Sequence, residues 1–99
     1  MFELRFTKTA DEMLKKLEAS HAQTGLVKQI KKSLGYLQTD PKHPSLNTHS
    51  YSSIEHPFNP KDKVFEAYAQ NNTPSAYRIF WCYGPDKKQI TIIAVVPHP

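Results

Sequence analysis

The sequence predicts an α+β protein: an N-terminal strand, a two-helix hairpin, then an antiparallel meander, with the helices packed on one face of a four- to five-stranded sheet. Three observations carry this. Residues 2–7 alternate apolar and polar with a period of two. Residues 10–40 hold two stretches with apolar side chains at helical spacing. From Val64 onward the chain is rich in aromatic and β-branched residues, broken by turn clusters. A helical block between one strand and a run of strands joined by short loops gives one helical layer on one sheet face. Ninety-nine residues suit a single domain, 1–99, with one modest core.

The elements follow in order. Phe2, Leu4 and Phe6 alternate with Glu3, Arg5 and Thr7, the mark of a half-buried strand. Thr9 with Glu12 three residues on has the form of a capping box, and Met13, Leu14 and Leu17 follow at helical spacing, so the first helix is expected over about 10–20. Thr24-Gly25 restarts the chain. Leu26, Val27, Ile30, Leu34 and Leu37 make the apolar stripe of a second helix, which should stop near Asp40 because Pro41 disfavours helix in the residue before it. Residues 40–62 carry Pro41, Pro44, Pro57 and Pro60 and read as loop with one short strand around 46–54. That is long for a plain connector and points to a functional loop. Phe65, Ala67 and Ala69 alternate with Glu66, Tyr68 and Gln70. Asn71 to Ser75 is a turn cluster, Ala76 to Tyr83 a β-prone strand, and Gly84 to Lys88 another turn. Ile90 to Val96 is nearly all apolar, as a strand covered on both faces would be.

Composition limits the function classes. Thirteen Lys+Arg against nine Asp+Glu give a formal charge of +4, which favours polyanionic partners. Cys82 is the single cysteine, so neither an intrachain disulfide nor a CxxC zinc pattern is available. No segment approaches the apolar length of a membrane span, and Met1–Ala10 alternates with charges instead of showing the apolar region of a signal peptide. A cytoplasmic protein with no membrane partner is expected. No P-loop, GxSxG or HExxH pattern occurs.

Arg78 is the most informative candidate. It lies within the strand Tyr77–Tyr83, on the face of Phe80 and Cys82 and opposite Tyr77, Ile79 and Trp81. An unpaired guanidinium is costly to bury. Arg78 therefore either meets a carboxylate, for which Glu66 on the preceding strand is the candidate, or faces an open groove as a bidentate phosphate clamp. A flat sheet with Arg78 locked onto Glu66 favours a binding protein; a basic groove holding Arg78 and a histidine favours a nuclease. His98 at the end of the last strand is either a frayed terminal residue or an acid–base group near the start of Arg78's strand. His43, His49 and His56 have no Asp or Glu at a ligand spacing, so no metal site is expected and solvated loop histidines are the simpler reading. Lys28, Lys31 and Lys32 form either a solvated helix face or one wall of an RNA groove. Tyr68, on the face of Glu66, is the best candidate for stacking on a base.

The strand Ala76-Tyr77-Arg78-Ile79-Phe80-Trp81, the turn with Asp86 and the last strand Ile90-Thr91-Ile92-Ile93-Ala94-Val95-Val96-Pro97-His98 resemble the RelE/ParE superfamily of bacterial toxins. So do the opening strand Phe2–Phe6 and the helical hairpin ending at Asp40-Pro41. The resemblance implies a toxin of a type II toxin–antitoxin pair that cleaves mRNA in the ribosomal A site, needs no cofactor and is restrained by a cognate antitoxin. Arg78 falls on the family's strand arginine, which contacts the scissile phosphate, and His98 near a basic or histidine position used in catalysis. Many ribonuclease members place lysines where Ala69 and Asn71 stand here, and many carry a tyrosine beyond the last strand, whereas this sequence ends at Pro99. His98, His43, His49 and Glu66 are therefore the alternatives for proton transfer. Lys28, Lys31, Lys32, Lys63, Tyr68 and Asn71 are the expected RNA contacts. The other reading is a non-catalytic binder on the same fold, either a gyrase-type inhibitor or an antitoxin-paired partner.

Overall fold

The computed structural model describes residues 1–71 and 75–98. The chain runs β1 (Glu3–Phe6), α1 (Lys8–Glu18), a 3-10 turn (His21–Gln23), α2 (Thr24–Thr39), a second 3-10 turn (Pro44–Leu46), β2 (His49–Ser50), β3 (Phe65–Tyr68), β4 (Tyr77–Tyr83) and β5 (Gln89–Pro97). The strands form one sheet in the order β1-β5-β4-β3-β2. The pairs β2–β3, β3–β4 and β4–β5 are antiparallel, as the meander predicts, and β1 joins β5 in parallel at the far edge, so the sheet is mixed. Of the turn cluster Asn71–Ser75, residues 72–74 lie outside the described residues.

The first helix starts earlier than the Thr9 reading has it. Thr7 is the N-cap, its hydroxyl oxygen accepting from the Ala10 N–H at 3.1 Å, and Thr9 lies inside the helix. The cause is tertiary. The Thr7 N–H donates to the Ile92 carbonyl at 3.0 Å and its hydroxyl to the Ile93 carbonyl at 2.9 Å. The pairing of β4 with β5 slips between Phe80 and Trp81, which leaves Ile93 outside the ladder. Thr7 thus caps a helix and takes up the free carbonyl of a β-bulge together. Helix α1 ends at Glu18 rather than 20, whereas α2 stops at Thr39, just before Asp40-Pro41, as Pro41 requires.

Ala10 of α1 and Ile30, Leu34 and Leu37 of α2 pack on Ala67, Ile79, Trp81, Ile90, Ile92 and Val95 of the sheet, with Leu46 closing one side. Strand alternation then turns Glu66, Tyr68, Arg78, Phe80 and Cys82 to the other face. The segment 51–63 covers much of that face, and its Tyr51 ring lies 4.7 Å from that of Phe80. His56 fixes the segment and, against expectation, is buried rather than solvated. Its Nδ1 accepts from the N–H groups of Phe58 and Asn59 at 3.1 and 3.0 Å, so Nε2 carries the proton that it donates to the Tyr83 carbonyl at 3.0 Å. The cover stops short of the hairpin end. Ile90, Thr91, Ile92 and Val95 are buried but Ile93, Ala94 and Val96 only half-buried, so β5 is not covered on both faces along its whole length. Near that end Glu66 and Arg78 are buried, while His49 and His98 beside them are half-exposed.

Candidate active site

The site is built around one carboxylate. Sheet register sets His49 of β2 opposite Glu66 of β3, Glu66 opposite Phe80 of β4, and Tyr68 opposite Arg78. β5 then brings His98 to the same corner, where its N–H donates to the Ala76 carbonyl at 2.8 Å. Glu66 is 2% exposed. His49 Nε2 lies 2.6 Å from its Oε1, and His98 Nδ1 lies 3.4 Å from its Oε2, the latter in ion-pair range without hydrogen-bond geometry. Two imidazoles, one from β2 and one from the end of β5, thus flank one buried acid on the same face of the sheet. Each is about half exposed, 49% and 46% for the side chains, so each can meet a ligand in solution. The His49 Nδ1 also faces the Asn47 carbonyl at 3.2 Å. Both ring nitrogens of His49 therefore face acceptors, an arrangement that the imidazolium satisfies fully.

Arg78 is 7% exposed and held on three sides. One Nη donates to the Gln70 carbonyl at 2.9 Å and the Tyr77 carbonyl at 3.3 Å. The guanidinium carbon lies 3.7 Å from the Tyr68 ring centroid, a cation–π stack. Its Nε faces Glu66 Oε2 at 4.0 Å, and neither atom makes a hydrogen bond among the described residues. Arg78 thus has its carboxylate beside it without being locked onto it. The first sequence alternative is met in part by the Glu66–Arg78 approach; of the second, two half-exposed histidines lie beside Glu66, but Arg78 itself is buried and does not face an open groove. The Tyr68 ring gives one face to the guanidinium and so helps to orient Arg78.

No family model matches the sequence, and no curated protein does. Solved structures do match. A YoeB/ParE toxin from Agrobacterium tumefaciens superposes with a TM-score of 0.69 at 10% identity, covering 99% of this chain and 100% of that one. The YoeB dimer from Staphylococcus aureus gives a TM-score of 0.70 at 15% identity over 99% and 98% of the two chains. The intact RelBE toxin–antitoxin complex from Escherichia coli gives 0.61 at 16% identity over 100% and 99%. The chain has the RelE/ParE toxin fold.

On this RelE/ParE-type sheet the other candidates fall at varied distances from Glu66. His43 is drawn elsewhere: its ring stacks on Tyr36 at 3.9 Å and its Nδ1 accepts from the Ser45 N–H at 3.1 Å, capping the second 3-10 turn. Lys28, Lys31 and Lys32 are exposed on α2, on the helical side of the sheet. Lys31 pairs with Glu18 at 2.9 Å and Lys32 lies 5.9 Å from the centroid of Tyr36. Asn71 is exposed just beyond Gln70, and Lys63 lines a cavity of about 620 Å³ within the segment 50–64, with Ser50, Tyr51 and His56. Among the described residues no group of three His, Cys, Asp or Glu is arranged to hold a metal ion, and no helix is long and apolar enough to cross a membrane. The sequence reading passed over Gln70, whose backbone and side chain both serve the Arg78 corner. Nothing in its local pattern marks it, because its role depends on a strand irregularity.

Proposed function

We propose that this single domain is the toxin of a toxin–antitoxin pair and a ribosome-dependent mRNA endoribonuclease. One observation carries the reading: a buried carboxylate flanked by two half-exposed imidazoles, with a buried guanidinium beside it. RNA cleavage by its own 2′-OH needs a base for the 2′-OH proton, an acid for the leaving 5′-oxygen and a cation for the pentacoordinate phosphorane. His98 turns Nδ1 toward Glu66, which leaves Nε2 as the base. Glu66, whose Oε2 lies 3.4 Å from that Nδ1, would stabilise by its charge the imidazolium that forms. His49 is the acid: its Nδ1–H would leave the Asn47 carbonyl to protonate the 5′-oxygen, while Nε2 stays on Glu66. Arg78 holds the phosphate oxygens. The 2′-oxygen forms the new bond to phosphorus while the bond to the 5′-oxygen breaks, leaving a 2′,3′-cyclic phosphate and a 5′-hydroxyl. The route needs no metal, because these side chains supply both proton transfers and the positive charge.

The exposed lysines of a chain with net charge +4 would hold the RNA backbone, so affinity should fall with salt. An antitoxin partner is in keeping with the toxin–antitoxin complex among the fold's solved examples, and a cytoplasmic location with action at the ribosome. The 4.0 Å Glu66–Arg78 approach supports the second reading, a non-catalytic binder on this fold. Cleavage of mRNA on programmed ribosomes decides between them, comparing wild type with Arg78→Ala, His98→Ala and His49→Ala. Cuts that vanish in the variants establish the nuclease. No cuts by folded wild type leave the binder.

A further inference from the structure

We propose that Gln70 is a positioning residue for Arg78, acting through a bulge that it locks with its own side chain. Past β3 the ladder with β4 becomes irregular. The N–H groups of Ala69 and Gln70 both donate to the Tyr77 carbonyl, at 3.1 and 3.3 Å. Two residues on one strand thus oppose one on the other, the pattern of a β-bulge, a device that re-aims neighbouring groups. Its effect here is to turn the Gln70 carbonyl toward Arg78, whose Nη donates to it at 2.9 Å. That is the shortest hydrogen bond the guanidinium makes among the described residues.

The Gln70 side chain secures the same irregularity from both ends. Its Oε1 accepts from the Tyr77 N–H at 3.1 Å, and its Nε2 donates to Gln29 Oε1 of α2 at 2.9 Å. A second tie from α2, the Ser33 hydroxyl donating to the Tyr68 carbonyl at 3.2 Å, braces the strand beside it. A Gln70 without its amide keeps its backbone groups but loses the two bonds that fix where its carbonyl points. Arg78 would then keep the Tyr68 stack and the weaker Tyr77 contact, with its outward edge free to swing. A phosphate clamp works through fixed geometry, and small displacements of a positioned group carry large rate penalties.

The catalytic consequence rests on the nuclease reading; the placement of Arg78 does not. The test therefore has two readouts: kcat and KM for ribosome-bound mRNA, and the NMR signal of the Arg78 Nε–H, which the Tyr68 ring current shifts. Gln70→Ala is expected to lower kcat by about 10- to 100-fold with little change in KM, and to move the Arg78 signal toward the position of a free arginine. Gln70→Glu keeps the acceptor for Tyr77 and loses the donor to Gln29, so it should fall between wild type and alanine. Gln29→Ala should do the least, and both keep the test usable if Gln70→Ala does not fold. An unmoved Arg78 signal in folded Gln70→Ala overturns the proposal, as does an unchanged kcat in an active enzyme. If wild type cleaves nothing yet the Arg78 signal moves in Gln70→Ala, the nuclease reading falls and the positioning role stands.

Discussion

Replacing Glu66 with glutamine tests the electrostatics on which the site depends. The substitution keeps the side chain's shape and removes its charge, leaving Arg78, 7% exposed, without a counter-charge. At the 4.0 Å separation of Nε and Oε2, Coulomb attraction at an effective dielectric of about 20 is roughly 4 kcal/mol. Desolvation of both groups offsets much of that in the pair's net worth, but breaking a buried pair exposes the full cost of the remaining charge, typically about 3–5 kcal/mol. Arg78 keeps two carbonyl acceptors and the Tyr68 stack, which lowers the expected loss to about 2–3 kcal/mol. For a domain of this size that is a fall in Tm of about 10–15 °C. The decisive assay is a double-mutant cycle in urea: Glu66→Gln, Arg78→Met and the double variant at one fixed pH. A coupling of about 1.5–2.5 kcal/mol is expected, since residues in one ion-pair network couple by about 0.5–3 kcal/mol. Single effects that add to within about 0.5 kcal/mol would refute the reasoning and leave Arg78 held by Tyr68 and backbone carbonyls alone.

Three further outcomes are expected. Tyr68→Phe should leave stability near wild type, because the ring stacked on Arg78 survives, whereas Tyr68→Leu should cost about 1–2 kcal/mol in urea unfolding through loss of the cation–π contact. His56→Ala removes three hydrogen bonds that latch the segment 51–63. At about 1 kcal/mol each, it should lower stability by roughly 2–3 kcal/mol and open that segment to limited proteolysis, with the cut sites mapped by mass spectrometry. Burial, with the Asp62 charge adding to it, pushes the Cys82 thiol up to about 11 from an ordinary 9.0. The native state therefore holds this proton more tightly than the unfolded chain, and the stability it gives is complete below about pH 9 and lost as pH rises toward 11. Urea midpoints measured from pH 8 to 11 should fall, less steeply in Cys82→Ala, with a residual slope from Tyr83, whose phenol burial also raises.

The elements legible in the sequence are those whose pattern is local. The stripe Ile30, Leu34 and Leu37 gives α2, and Pro41 its end. The alternation through Tyr77–Tyr83 gives β4 and the face on which Arg78 lies, and the β3 pattern sets Glu66 on that face too. The start of α1 is hidden because Thr9–Glu12 satisfies the capping pattern locally, whereas Thr7 is the cap. Thr7 wins because four hydrogen bonds converge on it: it donates to the Ile92 and Ile93 carbonyls of β5 and accepts from the Ala10 and Asp11 N–H groups of α1. No window of sequence contains both Thr7 and Ile93. The parallel pairing of β1 with β5 is hidden for the same reason.

The choice among the histidines follows from one backbone turn. His43 and His49 lie in the same proline-rich segment, and composition does not separate them. Pro44 opens a 3-10 turn for which the His43 ring is the cap, so its Nδ1 is committed to the Ser45 N–H. Asn47 then takes a left-handed conformation at φ 47, which asparagine tolerates better than most residues, and the chain reverses into β2. That strand is only two residues long, yet its antiparallel register sets His49 opposite Glu66. Strand pairing has a side-chain period of two, so a slip of one residue would set Ser50 there instead and turn His49 away. The Asn47 turn therefore fixes which imidazole reaches the buried acid. Asn47→Ala disfavours the left-handed turn, and with it both the register of β2 and the Asn47 carbonyl's contact to His49, while leaving every side chain of the cluster in place. If His49 is the proton donor, that change should lower kcat while sparing the Glu66–Arg78 coupling.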